Sequence, residues 1–256
     1  MKRLLWILWC ASWAGSVSAA MDRAAFVALS ASVLRIEAPR STGGYALGSA
    51  VVIGKDQVVT NCHVTRDAVE IFVVRGGARW TAEAQSADVA RDLCVLRVPG
   101  LRGQVVPMAP TAGLGVGQGV TALGFTGGMG MQNSTGEVVA LHRHDGSRVI
   151  QTNNWFSSGA SGGGLFDDDA RLIGILTFRL RGGEAHYFAA PADWLREMLD
   201  QPGRHPFKAV APLPRDALPF WQQRWTEQPQ FLRALECSLT AETPAPAPAR
   251  ATSSPC

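Results

Sequence analysis

Ser157-Ser158-Gly159-Ala160-Ser161-Gly162-Gly163-Gly164-Leu165-Phe166, followed by the apolar run Leu172 to Phe178, is the stretch on which the fold turns. Four glycines around Ser161 let the backbone turn tightly and bring amides close to a reacting atom. The apolar run after it reads as a buried strand, so the loop is mounted at the edge of a sheet. A rigidly mounted serine in such a turn is a candidate nucleophile. A flexible Gly/Ser linker has the same composition, so the reading depends on whether the chain also supplies a base and a group to orient it.

Working outward, short strands lie on both sides. Val33 to Ile36 alternates, Tyr45 to Ile53 is apolar, and Val58 to Thr60 follows the turn residues Gly54-Lys55-Asp56. Glu70 to Val74, Trp80 to Ala84 and Leu93 to Val98 complete a first set of six, closed by Pro99-Gly100. After the glycine-rich Thr111 to Gly119, a second set runs through Val120 to Gly124, Gly136 to His144, Arg148 to Thr152, Leu172 to Phe178 and His186 to Ala189. Asp145-Gly146 suits a two-residue hairpin turn. Two all-β units of similar length are expected, residues 21–111 and 112–200, the second ending in a helix from Pro191 with Trp194, Leu195, Met198 and Leu199 on one face. Proline- and tryptophan-rich residues 201–242 are expected to dock as a helix or two, and the Ala/Pro/Ser-rich 243–256 to be a disordered tail.

Before the first unit, Lys2-Arg3, the apolar Leu4 to Val17 and the small residues Ser18-Ala19-Ala20 have the layout of a cleavable secretory signal, residues 1–20. Ser12, Gly15, Ser16 and Ser18 interrupt the run, which argues against a spanning helix and against stable membrane insertion after cleavage. Loss of Lys2 and Arg3 lowers the formal charge from +3 to +1, which leaves no electrostatic case for nucleic acid. The expected location is periplasmic or secreted. Four cysteines then remain, Cys62, Cys94, Cys237 and Cys256; disulfides are permitted, with three possible pairings.

His63 follows the buried strand Val58-Val59-Thr60, and Asp92 opens the apolar strand Leu93 to Val98. Both are positions that packing would fix. His142 and His144 share a strand face, but two ligands without a third make a weak metal site, and no metal or cofactor is expected.

His63, Asp92 and Ser161 stand in the chain order of the chymotrypsin-like fold, with the two β units where that fold has its two six-stranded antiparallel barrels. Gly48 to Val64 resembles the histidine segment of bacterial Deg/HtrA-type trypsin-like proteases, and Asp92-Leu93-Cys94-Val95-Leu96 their aspartate segment. Gly117-Gln118, Leu123-Gly124-Phe125, Gly136 to Val139 and Ile150-Gln151-Thr152 match the second barrel in order, so the resemblance covers about Val33 to Leu199. It implies a serine endopeptidase: Ser161 as nucleophile, His63 as general base then acid, Asp92 as orienting carboxylate, and the amides of Gly159 and Ser161 as oxyanion hole. The family's layout assigns the specificity pocket to Trp155, Phe156 and Ser158, to Thr177-Phe178-Arg179, and to the stretch around His186. Trp155 and Phe156 suggest an apolar pocket; His186 alternatively faces an acidic side chain, as in glutamate-specific relatives.

Two departures stand out. Ala160 replaces the Asn or Asp usual in relatives, removing a polar contact that steadies the loop. Cys62 and Cys94 are unusual additions on segments that should be neighbours, and a Cys62–Cys94 disulfide is expected, with Cys237–Cys256 as the other pair. The stretch after residue 200 is too short for the PDZ domain that Deg/HtrA proteins usually carry, so a monomer or small homo-oligomer acting on protein or peptide substrates is expected. The alternative is a catalytically silent relative that binds envelope or unfolded proteins; a third option is an esterase with the same triad.

Overall fold

The computed structural model describes residues 23–127, 130–180 and 186–242; side chains are described to residue 239. The expected signal segment and the expected disordered tail therefore lie outside the described residues. Helix α1 (Arg23–Ser30) leads into β1 (Val33–Pro39), β2 (Tyr45–Gly54), β3 (Gln57–Thr60), the single-turn α2 (Cys62–Thr65), β4 (Phe72–Arg75), β5 (Ala78–Thr81), β6 (Ala84–Asp88) and β7 (Leu93–Arg97). The second unit comprises β8 (Gly119–Thr126), β9 (Gly130–His144), β10 (Ser147–Thr152), β11 (Gly164–Phe166), β12 (Leu172–Arg179), β13 (Tyr187–Pro191) and α3 (Ala192–Asp200). A short β14 (Lys208–Ala209) and α4 (Gln230–Glu242) follow.

The second unit is a closed six-stranded barrel in the order β10-β13-β12-β11-β8-β9. All its pairings are antiparallel. Asp145 and Gly146 take positive φ angles (43° and 76°) in the β9–β10 turn, as a two-residue hairpin requires. The sixth strand, β11, is the tail of the glycine-rich loop. Its Gly164 gives no strand signal, which is why five strands rather than six are visible in the sequence.

The first unit is the other half of the expected double-barrel architecture, curled into a half-barrel with more strands than the six expected. It is a sheet of eight strands in the order β14-β6-β7-β3-β2-β1-β4-β5, with two free ends. One added strand, β6, has the sequence Ala-Gln-Ser-Ala-Asp, poor in β-branched residues. The other, β14, arrives from far down the chain and pairs Lys208 with Gln85 and Ala209 with Ala84. The extension thus covers an edge that the first unit leaves open.

One apolar cluster joins both units and the extension: Val51 and Leu93 from the first sheet, Leu123 and Phe166 from the barrel, Trp194 from α3, Phe220 and Leu232 from the extension. After β14 the chain runs extended across the seam. Leu213 N–H donates to Arg66 O (2.7 Å), Arg66 Nη2 to Ala217 O (3.0 Å) and Phe220 N–H to Ala90 O (2.9 Å). Among the described residues, no helix is long and apolar enough to cross a membrane.

Candidate active site

The segments carrying His63 and Asp92 leave neighbouring strands at the seam. Pairing of Thr60 with Cys94 in the β3–β7 ladder puts the end of one beside the start of the other. His63 lies in α2, and Asp92 immediately precedes β7 in the left-handed region (φ 60°), a conformation that aspartate tolerates better than most side chains. The two segments also meet at the Asp92 carbonyl, which accepts from Asn61 Nδ2 (2.9 Å) and from the Cys62 N–H (3.3 Å). A Cys62–Cys94 disulfide, Cα to Cα 5.0 Å, locks the two segments from behind. Cys237 is also disulfide-bonded, and Cys256, its expected partner, lies outside the described residues.

The Asp92 side chain is fully buried and its oxygens are well supplied with donors. Oδ1 accepts from the His63 backbone N–H (2.8 Å). Oδ2 lies 2.6 Å from His63 Nδ1 and accepts from the Trp221 indole Nε1 (3.0 Å). A buried carboxylate is tolerated only when hydrogen-bonded in this way. With Nδ1 bonded to a carboxylate it carries the proton, and Nε2 is left as the basic nitrogen.

Ser161 lies on the barrel side of the seam. Its C=O accepts from Ser49 N–H (2.8 Å), tying the Ser161 loop to β2. Its hydroxyl faces the Thr177 carbonyl at 3.5 Å and makes no hydrogen bond to His63 among the described residues. The loop is held by its backbone: Ala160 N–H to Ser157 O (3.0 Å), Gly163 N–H to Ala160 O (2.8 Å), Gly162 N–H to Leu176 O (2.8 Å). The glycines are required by close approach. Gly159 (φ 98°) and Gly162 (φ 87°) are left-handed, and a Cβ at Gly162 would lie 2.1 Å from Ser49 O. The amides of Gly159 and Ser161 donate to no acceptor among the described residues.

Ser49, within the Gly48-Ser49-Ala50 run, is a residue whose role sequence reasoning missed. Its hydroxyl accepts from Phe125 N–H (2.7 Å) and donates to Gly159 O (2.8 Å), so one buried side chain clamps the loop to β8. A hydroxyl inside an apolar strand is the signal that could have found it. Ala160 is buried beneath Gly124, and Ser49 supplies a polar anchor for a loop in which position 160 has none.

The residues expected to wall the specificity pocket are brought together only in part. Phe156 and the half-exposed Trp155 line a cavity of about 130 Å³ with Ala122, Ala160 and Leu176. Thr177 points inward, donating to Ile175 O (2.7 Å), while Arg179 and Ser158 are exposed. Phe178 is buried, stacked between Phe188 (4.6 Å) and Trp221 (5.0 Å). His186 Nδ1 lies 3.4 Å from Gln151 Nε2, and Gln151 Oε1 lies 2.7 Å from His142 Nε2. None of Thr177, Phe178, Arg179 and His186 lines that cavity.

His142 and His144 face aromatic rings. His142 stacks on Phe231 (4.4 Å) and His144 lies 4.9 Å from Phe220. Burial holds both imidazoles below the ordinary histidine pKa. Among the described residues, no group of three His, Cys, Asp or Glu side chains is placed to hold a metal ion. Arg91, next to Asp92, is engaged across the seam by Asp145 (2.6 Å) and Glu197 (3.0 Å). Burial disfavours its charge, but Asp145 with Asp88 and Glu197 more than offsets this and raises its pKa.

Comparison with known proteins accords with this geometry. A family model described as a trypsin-like peptidase domain matches residues 48–175. A probable periplasmic serine endoprotease, DegP-like, from Halomonas elongata is 34% identical over 165 residues, 61% of this chain and 35% of the relative. The periplasmic serine endoprotease DegP of Escherichia coli K12 is 32% identical over 168 residues, with the same shares covered. The chain thus spans about a third of the length of these relatives. Among solved structures, the HtrA-type protease AlgW with a tripeptide superposes with a TM-score of 0.64 at 26% identity, covering 70% of this chain and 62% of that one. The serine endoprotease from Yersinia pestis gives 0.63 at 27%, covering 70% and 65%.

Proposed function

The chain belongs to the trypsin-like peptidase family, and from that premise we propose that it is an exported serine endopeptidase working through His63, Asp92 and Ser161. The observation that carries the reading is the 2.6 Å pairing of His63 Nδ1 with a fully buried Asp92, across the seam from a serine whose backbone is tied to β2.

The chemistry follows from that arrangement. Ser161 Oγ turns from the Thr177 carbonyl to His63 Nε2, gives up its proton there and attacks the acyl carbonyl. Asp92 stabilises the imidazolium that forms. The tetrahedral oxyanion takes the amides of Gly159 and Ser161, which have no internal acceptor to give up. His63 then protonates the leaving amine, an acyl-enzyme remains on Ser161, and water attacking by the same route releases it.

The substrate class is protein or peptide. Support comes from the relatives named as endoproteases and from a seam open enough to leave part of the His63 side chain accessible. Trp155 and Phe156 favour a small apolar side chain at the cleavage site. An export signal at residues 1–20, the disulfide and periplasmic relatives support a periplasmic location. Oligomeric state is proposed as monomeric or a small homo-oligomer, with no nucleic acid partner.

The test is incubation of the purified protein with reduced, unfolded casein. Fragments are expected, and both His63→Ala and Ser161→Ala should leave casein intact. Fragmentation that survives in the Ser161→Ala protein would contradict the reading, and casein left whole by the unaltered protein would favour a silent binder.

A further inference from the structure

Trp221 comes from the extension, 129 residues beyond Asp92, yet it donates to the same carboxylate oxygen as His63. Its ring is packed against two others, and its backbone neighbour is anchored. It stacks on Phe178 (5.0 Å, 7° between planes), meets His63 edge-on (5.5 Å, 85°), and follows Phe220, which is buried against Trp194 (5.8 Å) and bonded through its N–H to Ala90 O. The other nearby donors are committed elsewhere. Thr177 Oγ1 donates to Ile175 O, and Asn61 Nδ2 serves the Asp92 backbone carbonyl. The indole N–H is a donor only, so its contact with Asp92 has one polarity and suits the ionised carboxylate.

We propose that Trp221 is a positioning residue for the Asp92–His63 pair, making the C-terminal extension a working part of the active centre rather than an appendage. This rests on the endopeptidase reading of the same site. The indole fixes the carboxylate plane toward His63 Nδ1 and draws charge from Oδ2. Without the N–H, Oδ2 holds more charge and binds imidazolium more strongly, raising the His63 pKa, while the carboxylate loses a tether. Charged and titratable groups near this corner are few: Asp92 against His63, Arg66 bonded to Ala217 O, Arg91 held by Asp88, Asp145 and Glu197, His205 against Asp88, and His144 behind Phe220.

The experiment is a nitrogen-15 NMR titration of the His63 imidazole in the full chain, with kcat and KM for a peptide substrate measured alongside. Trp221→Phe keeps a stacking ring and removes the donor. The His63 pKa should rise, and kcat should fall about tenfold, the scale of one hydrogen bond to a charged group, with KM within about twofold. Benzothienylalanine at position 221, which has the indole shape with sulfur for N–H, should reproduce both changes. An unchanged or lowered His63 pKa in either variant overturns the proposal, as does a higher kcat, which would make Trp221 an obstruction. A change seen with Phe but not with benzothienylalanine assigns the effect to ring volume and also overturns it. The titration decides the matter even if the unaltered protein cleaves no peptide, an outcome that would sink the endopeptidase reading alone.

Discussion

The two halves of the catalytic seam are built by opposite means. On the His63–Asp92 side, side chains do most of the fixing: the carboxylate takes three donors, two of them side-chain groups, a disulfide ties the flanking segments, and an aromatic residue from the extension roofs the pair. On the Ser161 side, backbone does it: left-handed glycines, loop hydrogen bonds and one hydroxyl clamp, Ser49. The contrast matches the roles proposed for the two halves. A base must keep one tautomer and orientation throughout, so its orienting group is saturated. An oxyanion hole must keep its donors free for the substrate, so its loop is shaped by residues that leave amides unspent.

The largest expected effect breaks the first half at its centre. Asp92→Asn should reduce kcat by about 10⁴-fold, since an amide cannot hold the Nδ1–H tautomer as a carboxylate does; steady-state hydrolysis with a peptide ester measures it. Removing the lock behind that half comes next. The Cys62→Ala/Cys94→Ala double variant should lose about 3–4 kcal/mol of stability from opening a loop of 32 residues, read by denaturant unfolding under non-reducing conditions.

Ser49→Ala attacks the second half. It strands the Phe125 N–H and the Gly159 C=O in a partly buried setting and should cost about 1–3 kcal/mol. The Ser161 acylation rate should fall while the His63 titration stays in place, which sharpens the distinction between the halves.

The smallest effect is a pH dependence where β9 of the barrel meets the extension. His142 and His144 have folded pKa values lowered by burial, so over the interval up to the ordinary histidine value the unfolded chain binds more protons. Their contribution to stability is therefore full above about pH 6.5 and declines as pH falls below it, levelling off beneath the lowered folded values. Melting curves between pH 7.5 and 5.5 should show a modest drop, reduced in His144→Phe, with the rings of Phe220 and Phe231 loosening first.

What was legible in the sequence was local. Alternation marked most strands, Asp145-Gly146 marked its turn, and the glycines around Ser161 marked a loop. The nearness of Cys62 and Cys94 came from the family resemblance, and the structure contains that disulfide. What escaped was long-range. Gly164 hid β11, β6 lacked the composition of a strand, and β14 pairs with a strand some 120 residues earlier in the chain. Trp221 could be read as an apolar residue needing cover, but not as a donor to Asp92, because no local pattern encodes a contact made by a strap crossing the seam. Ser49 was hidden for the same reason, its partners lying on β8 and the nucleophile loop.

The most direct measurement of the central claim is labelling by a fluorophosphonate probe, followed by mass mapping of the modified residue. Stoichiometric modification at Ser161 is expected, slowed at least a hundredfold in His63→Ala and absent in Ser161→Ala. Modification at another serine, or labelling of Ser161 that proceeds equally well without His63, would contradict that claim.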